Sequence, residues 1–179
     1  MIIILEGFDE SGKSTLANKL AARLGIKVVH PGPKPIDIDD AKSMAARQFG
    51  LMTFAQHVNL ILDRVTCISS HCYMMNITNE FKSEQAAIEV LESQGHIKVI
   101  RCISYPTALK QTENDTFDSI DHADRNRQKI IQNYVDVFKN IGHCVYDYKD
   151  PDAFYKVAKY IGFDRFDKCF RDHFKLITI

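Results

Sequence analysis

A three-layer α/β fold, with a five-stranded parallel sheet between helices on both faces, is what this 179-residue sequence predicts. Three observations carry the expectation. Short apolar runs alternate with segments of helical periodicity in the order β-α-β-α-β-α-β-α-β-α, an alternation that builds parallel sheets through right-handed crossovers. The first run leads straight into a glycine-bearing loop and then a helix. Apolar residues make up 45% of the chain, the ordinary share for a soluble globular domain of a length that supports one sizeable core.

Residues 1–5 are an apolar run of strand length, and 15–24 have helical periodicity ended by Gly25. Residues 26–30 read as the second strand. Pro31, Pro33 and Pro35 then enforce an extended loop, because each ring fixes φ and restricts the residue before it. Asp39 and Asp40 open a second helix, where its dipole favours carboxylates, and that helix is expected to run to about Phe49 and stop at Gly50. Residues 58–63 form the third strand, ending in Asp63. Helical character returns over 83–93 and stops at Gly95. The fourth strand spans 97–103, with Pro106 beyond it. Ile120, Ile130, Ile131, Tyr134, Val137, Phe138 and Ile141 predict one long helix over 116–141, ended by Gly142. Residues 143–148 make the fifth strand, and Pro151 begins a closing helix. Phe163, Phe166, Phe170 and Phe174 then recur at helical spacing, a stripe suited to packing against the domain or a second subunit.

Between the first strand and the first helix, Gly7-Phe8-Asp9-Glu10-Ser11-Gly12-Lys13-Ser14-Thr15 fits the pattern G-x-x-x-x-G-K-[ST]. The strand–loop–helix setting distinguishes a nucleotide-binding loop from a glycine-rich turn that merely caps a helix. Gly7 and Gly12 let consecutive N–H groups turn inward around a triphosphate, so the expected cradle runs through Asp9, Glu10, Ser11 and Thr15. Lys13 is expected to reach the β- and γ-phosphates and the Ser14 hydroxyl to ligate Mg²⁺. The chain is therefore expected to be a single domain over 1–179 with the P-loop NTPase fold, using ATP and Mg²⁺.

Acidic and basic residues balance at 23 each, and no basic stripe suggests nucleic acid or an anionic membrane as partner. No apolar run approaches membrane-spanning length. The five cysteines, Cys67, Cys72, Cys102, Cys144 and Cys169, are odd in number and lack C-x-x-C spacing, which reads as free thiols in a reducing compartment. No basic stretch precedes the first apolar run and no cleavage site follows it, so no signal peptide is expected and the setting is cytoplasmic. The histidines show no H-x-x-x-H pair; His30, at a strand end, is the one to watch, with a structural role favoured. No G-x-S-x-G elbow supports hydrolase chemistry.

In open α/β sheets the ligand sits beyond the carboxyl ends of the strands. Asp63 closes an apolar strand there, as expected of a carboxylate that positions Mg²⁺. Arg64 offers a planar fork to an anionic second substrate. Read alone, the two are also compatible with a surface ion pair at a strand end.

At these residues the chain resembles the thymidylate kinases. Glu6-Gly7-Phe8-Asp9 looks like the family's E-G-x-D lead-in, and Asp63-Arg64 with Ser69, Ser70 and Tyr73 is similar to its D-R-[YFH]…S-S…Y signature. The compact length, the proline-rich loop and the run from Asp63 to Ser69 look most like the small deoxynucleotide kinases of bacteriophages. The resemblance spans roughly 1–148 and implies a kinase acting on a (deoxy)nucleoside 5′-monophosphate such as dTMP, a homodimer, and host cytoplasm for a phage-encoded enzyme. It implies that Asp9 sits near the acceptor sugar, that Arg64 holds the acceptor phosphate, and that Asp63 helps orient metal and acceptor. The chain departs from the family in having Val65 after Asp-Arg and His30-Pro31-Gly32-Pro33-Lys34-Pro35 in place of T-R-E-P-G, so base contacts are not carried over.

Phosphoryl transfer needs positive charge beside the migrating group. The loop contains no arginine, which moves the expectation to a lid over about 106–129, with Arg125 and Arg127 as candidates. Two residues apart on a regular helix, they cannot both face one cleft, and a solvated helix face is the plain alternative. Lys34 and Arg47 are further candidates to touch acceptor phosphate or base, and Tyr73 or Phe54 to stack on a base, although aromatics near a cleft are more often core. The alternatives are a P-loop kinase of another small metabolite (shikimate- or gluconate-type), a nucleotide-binding switch, for which no N-K-x-D motif is present, and a degenerate kinase that binds nucleotide without turnover.

Overall fold

The computed structural model describes residues 1–30, 32–74, 79–103 and 122–163. Its sheet has the strand order β2-β3-β1-β4-β5 and is parallel throughout. The strands are β1 (Ile2–Gly7), β2 (Lys27–Val29), β3 (Leu60–Asp63), β4 (Ile97–Cys102) and β5 (Cys144–Tyr146). Central β1 is buried along its whole length, as befits a strand paired on both edges and covered on both faces. Its side chains alternate between two cores. Ile2 and Ile4 join one with Phe8, Ile68, Ile88, Ile130 and Tyr134, while Ile3 and Leu5 join the other with Leu16, Leu20, Ala153 and Val157. The αβα layering is therefore real.

Helices α1 (Lys13–Leu24) and α2 (Ile38–Met52) follow β1 and β2. Gly25 ends α1 at φ 65, its N–H bonding to the Ala21 carbonyl at 2.9 Å. Asp37 caps α2 by accepting from the Asp40 N–H at 2.8 Å. Gly50 does not stop that helix. Its cost of about 1 kcal/mol is outweighed by the buried Met52, which anchors one further turn.

Helix α3 (Thr66–Tyr73) was not expected from the sequence. Thr, Cys, Ile and Ser form helices weakly, and no charge pattern marks the segment. Tertiary packing supplies the stability, since Cys67, Ile68 and Cys72 are buried and α3 packs against α2 and the helix that begins at Arg127. Helix α4 (Lys82–Ser93) precedes β4 as expected. The long helix over 116–141 is broken: a short turn occupies 122–125, and α5 is Arg127–Val137. The break falls at Asn126, whose φ of -104 and ψ of 10 leave helical values while its side-chain amide shares the His122 carbonyl, at 3.0 Å, with its own N–H at 3.1 Å. Residues 116–121, most of the expected lid and Phe166, Phe170 and Phe174 lie outside the described residues. Helix α6 (Ala153–Tyr160) closes the described chain, with Val157 and Ala153 against β5. Cys67, Cys72, Cys102 and Cys144 are free thiols. No helix among the described residues is long and apolar enough to cross a membrane.

Candidate functional site

The register of three central strands brings the sequence-predicted elements together. The phosphate loop leaves the end of β1, Asp63 and Arg64 leave adjacent β3, and Leu5 pairs with Asp63 across the ladder. A cleft of about 580 Å³ opens above these ends, lined by Asp9, Lys13, Ser14, Asp63, Arg64 and Tyr73 among others. Pro33, Lys34, Pro35, Met44, Met74 and His122 also line it.

The loop's shape depends on its glycines. Gly7 has φ 144, and a methyl group there would overlap the Cys102 carbonyl oxygen of β4. Gly7→Ala should accordingly cost about 3 kcal/mol or more, because the obstacle is backbone in a central strand. A thermal melt checks this, and a variant as stable as the parent would show that the loop can relax. Gly12 starts α1 at φ 84 with no side-chain cap, so the first-turn amides of Lys13, Ser14 and Thr15 are not capped by a side chain of their own helix. Ser11 is buried, whereas Thr15 is exposed and does not line the cleft.

Lys13 is only 5% exposed. Its amine donates to the Phe8 carbonyl at 2.6 Å and to Ser11 Oγ at 3.3 Å. Burial, and then the nearby Arg64 charge, bring its pKa down to about 8. A polyanion in the loop would outweigh both effects by its charge. Ser14 Oγ donates to Asp63 Oδ2 at 2.9 Å, and His30 Nδ1 lies 3.3 Å from the same oxygen. Hydroxyl and carboxylate oxygens side by side fit a Mg²⁺ ion that takes its remaining ligands from phosphates and water. His30 thus belongs to the site.

Arg64 has φ 80, a costly conformation for a non-glycine residue, at the head of a buried polar network. Its Nη2 forms an ion pair with Asp9, and its Nη1 donates to Tyr134 Oη at 3.2 Å. Tyr134 donates to Glu6 at 3.2 Å, and Glu6 also accepts from the Val65 N–H at 2.5 Å and the Ser69 hydroxyl at 3.1 Å. Burial raises the pKa of Glu6, opposed by Arg64 and these hydrogen bonds. Burial pulls against the Arg64 charge as well, yet the surrounding Tyr73, Tyr134, Asp9 and Glu6 hold it firmly protonated. Tyr73 accepts the Asp9 N–H at 3.0 Å and lies under the Arg64 guanidinium at 5.5 Å.

Other candidates fall differently. Lys34 lines the cleft, but Arg47 is exposed on α2 and does not, and Phe54 is 59% exposed away from it. Arg127 pairs with Asp124 and lies 5.5 Å from the Phe8 ring centre, beside the phosphate loop, while Arg125 is exposed; neither lines the cleft. Glu6 and Tyr134 lie behind the cleft and support Arg64, a placement that the sequence did not announce. Tyr134 reads as one more core position of a helix, while Glu6 enters the sequence reading only as the first letter of the E-G-x-D lead-in, with no partner assigned.

Among solved structures, the chain resembles the YorR protein of Bacillus subtilis, determined in complex with phosphorylated GDP, at 21% identity over 98% of each chain and a TM-score of 0.58. It also resembles a shikimate kinase from Bacteroides thetaiotaomicron at 10% identity, covering 96% of this chain and 98% of that one, with a TM-score of 0.52. A deoxyadenosine kinase from M. mycoides, determined with dCMP and a flexible dCDP as products, matches at 14% identity over 89% of this chain and 96% of that one, TM-score 0.50. The fold is that of the P-loop NTPases. At such identities the likeness carries the architecture alone. No protein-family model matches the chain, and no curated protein does.

Proposed function

We propose that this protein is a phosphotransferase that moves the γ-phosphate of ATP to a (deoxy)nucleoside 5′-monophosphate such as dTMP. The observation that carries the reading is the presence of two phosphate-competent cations, Lys13 and Arg64, in one cleft. Lys13 belongs to the loop that takes the donor triphosphate. Arg64 stands across from it on the adjacent strand end, with a planar fork suited to a second phosphate. The apolar and aromatic lining that Met44, Tyr73 and Met74 contribute suits a planar base.

In this reading Mg²⁺, when bound, neutralises charge on the phosphate oxygens. Ser14 and Asp63 would hold it, and Lys13 would leave the Phe8 carbonyl for the β- and γ-phosphates. Arg64 would fix the acceptor phosphate, Asp9 the sugar, and Tyr73 and Lys34 the flanks of the acceptor. An acceptor phosphate oxygen is already nucleophilic at neutral pH, so the chain needs no general base. Alignment and charge neutralisation supply the rate. Arg127, beside the phosphate loop, is better placed than Arg125 to add positive charge once a lid excludes water. Homodimerisation rests on the thymidylate-kinase-like resemblance, and a cytoplasmic setting on the free thiols and the lack of a signal-peptide pattern.

The test is incubation with ATP and Mg²⁺ and all common (deoxy)nucleoside monophosphates, with shikimate and gluconate alongside, read by product chromatography. At least one nucleotide should gain a phosphate, and EDTA should stop the reaction. Phosphorylation of a non-nucleotide alone would overturn the reading, and ATP hydrolysis with no phosphorylated acceptor would favour a nucleotide switch.

A further inference from the structure

The Arg64 guanidinium is engaged at both of its terminal nitrogens, by partners of different kinds. On one side, Nη1 donates to Tyr134 Oη at 3.2 Å. An arginine only donates, so the single tyrosine proton is left for Glu6, at 3.2 Å. Tyr134 is 1% exposed and Glu6 fully buried, and the Glu6 carboxylate is pinned by the Val65 N–H and the Ser69 hydroxyl. Nothing small enough to enter the cleft can replace these partners without unpacking the core. On the other side, Nη2 pairs with Asp9, whose side chain is 33% exposed and lines the cleft.

We infer that Glu6 and Tyr134 are positioning residues forming a permanent seat for Arg64, and that Asp9 is its exchangeable partner, displaced from Nη2 by the acceptor's phosphate. The inference rests on the reading of Arg64 as the acceptor-phosphate group. A phosphate monoester carries about 1.5 to 2 negative charges at neutral pH and offers three oxygens, so it outcompetes a single carboxylate for the exposed face of the fork. The guanidinium stays paired throughout, which avoids an uncompensated charge in a half-buried site. Once released from Arg64, the Asp9 carboxylate keeps the Tyr73 hydroxyl beside it and regains acceptor capacity toward the cleft, where the proposed function puts the sugar hydroxyl. Phosphate and sugar recognition are then one coupled event. A ligand without an anion cannot make the exchange, so selection for phosphorylated acceptors is built into the Asp9–Arg64 pair.

The experiment titrates 2-deoxyribose 5-phosphate into the full chain by calorimetry, with the phosphate loop filled by Mg–ADP so that neither base preference nor the loop itself contributes. Asp9→Asn should bind this probe several-fold more tightly than the parent. Tyr134→Phe should bind it about tenfold more weakly, the loss of one hydrogen bond to a charged group, with ADP affinity unchanged. Glu6→Gln should weaken it in the same direction. Unphosphorylated 2-deoxyribose should bind far more weakly to all of them. A purely structural role would instead lower the melting temperature and weaken ADP and sugar phosphate together, which overturns the inference. So does weaker probe binding by Asp9→Asn, or no difference between Tyr134→Phe and the parent, or no binding of the probe to the parent. Opposite shifts in Asp9→Asn and Tyr134→Phe, with no nucleotide phosphorylated in the acceptor panel, would leave the seat standing and remove only the kinase reading.

Discussion

Lys13→Met should abolish turnover and, at neutral pH, make the nucleotide-free protein more stable than its parent. The activity loss is expected to be at least ~10³-fold, since the cation nearest the transferred phosphate is gone. The stability gain follows from burial. An amine held at a pKa of about 8 in the fold against the ordinary 10.5 costs about 3 kcal/mol below pH 8. Losing the bond to the Phe8 carbonyl takes back about 1 kcal/mol, leaving a net gain of about 2 kcal/mol and a rise of about 5 °C in melting temperature. The sign with pH is definite. Between pH 8 and 10.5 the Lys13 amine keeps its proton in the unfolded chain and not in the fold, so the parent gains stability relative to the variant across that window, against the loss both share as buried Cys67, Cys72 and Cys102 resist deprotonation. Melting curves from pH 7 to 10.5 with turnover assays check both halves. A variant less stable at pH 7 would mean that the amine is well accommodated when no triphosphate is present.

Arg64→Ala is expected to raise the acceptor KM about 10²-fold and leave the ATP KM nearly unchanged, because only one of the two cations is lost. The same change should cost about 3–5 kcal/mol in stability by leaving Asp9 and buried Glu6 without their counter-charge. Its pH signature separates it from an ordinary packing defect. Burial already raises the Glu6 pKa, and removing the opposing Arg64 charge raises it further. A carboxyl group whose folded pKa lies above its unfolded 4.5 contributes stability that is fully present below 4.5 and lost as pH climbs through the folded value. The variant should therefore be more resistant to urea at pH 5 than at pH 8. Because residue 64 sits at φ 80, Arg64→Gly should be about 1 kcal/mol more stable than Arg64→Ala. Equal effects on both substrates, or greater stability at pH 8, would contradict the placement of Arg64.

Residues 7–15 and 63–64 located the cleft before any coordinates did, because glycines at fixed spacing and an acid at a strand end report backbone requirements that are local in sequence. The strand sequence was legible for the same reason. Helix α3 was not, since its stability comes from packing Ile68 and Cys72 rather than from any residue's own preference. The break at Asn126 is invisible in the sequence because apolar spacing runs through it undisturbed, while the departure is in the backbone angles of that one residue. Glu6 and Tyr134 are 128 positions apart, and no local pattern could have joined them. Arg47 had the right charge and the wrong face of α2, a distinction that depends on where the helix ends up rather than on its composition.

Position 8 of the chain is blank in the pattern G-x-x-x-x-G-K-[ST], open to any residue. In this molecule it is spoken for. Phe8 is fully buried, stacked on Tyr73 with centroids 6.2 Å apart and in contact with the Arg127 guanidinium 5.5 Å away. One wildcard letter thus touches the end of α3 and the start of α5, segments encoded far from the motif. Transplanting residues 7–15 into another scaffold would carry the phosphate-binding glycines but not the partners that hold the turn to its neighbours. A graft that works should need Tyr73 and Arg127 to travel with it, so the unit that evolution can shuffle is larger than the pattern that identifies it.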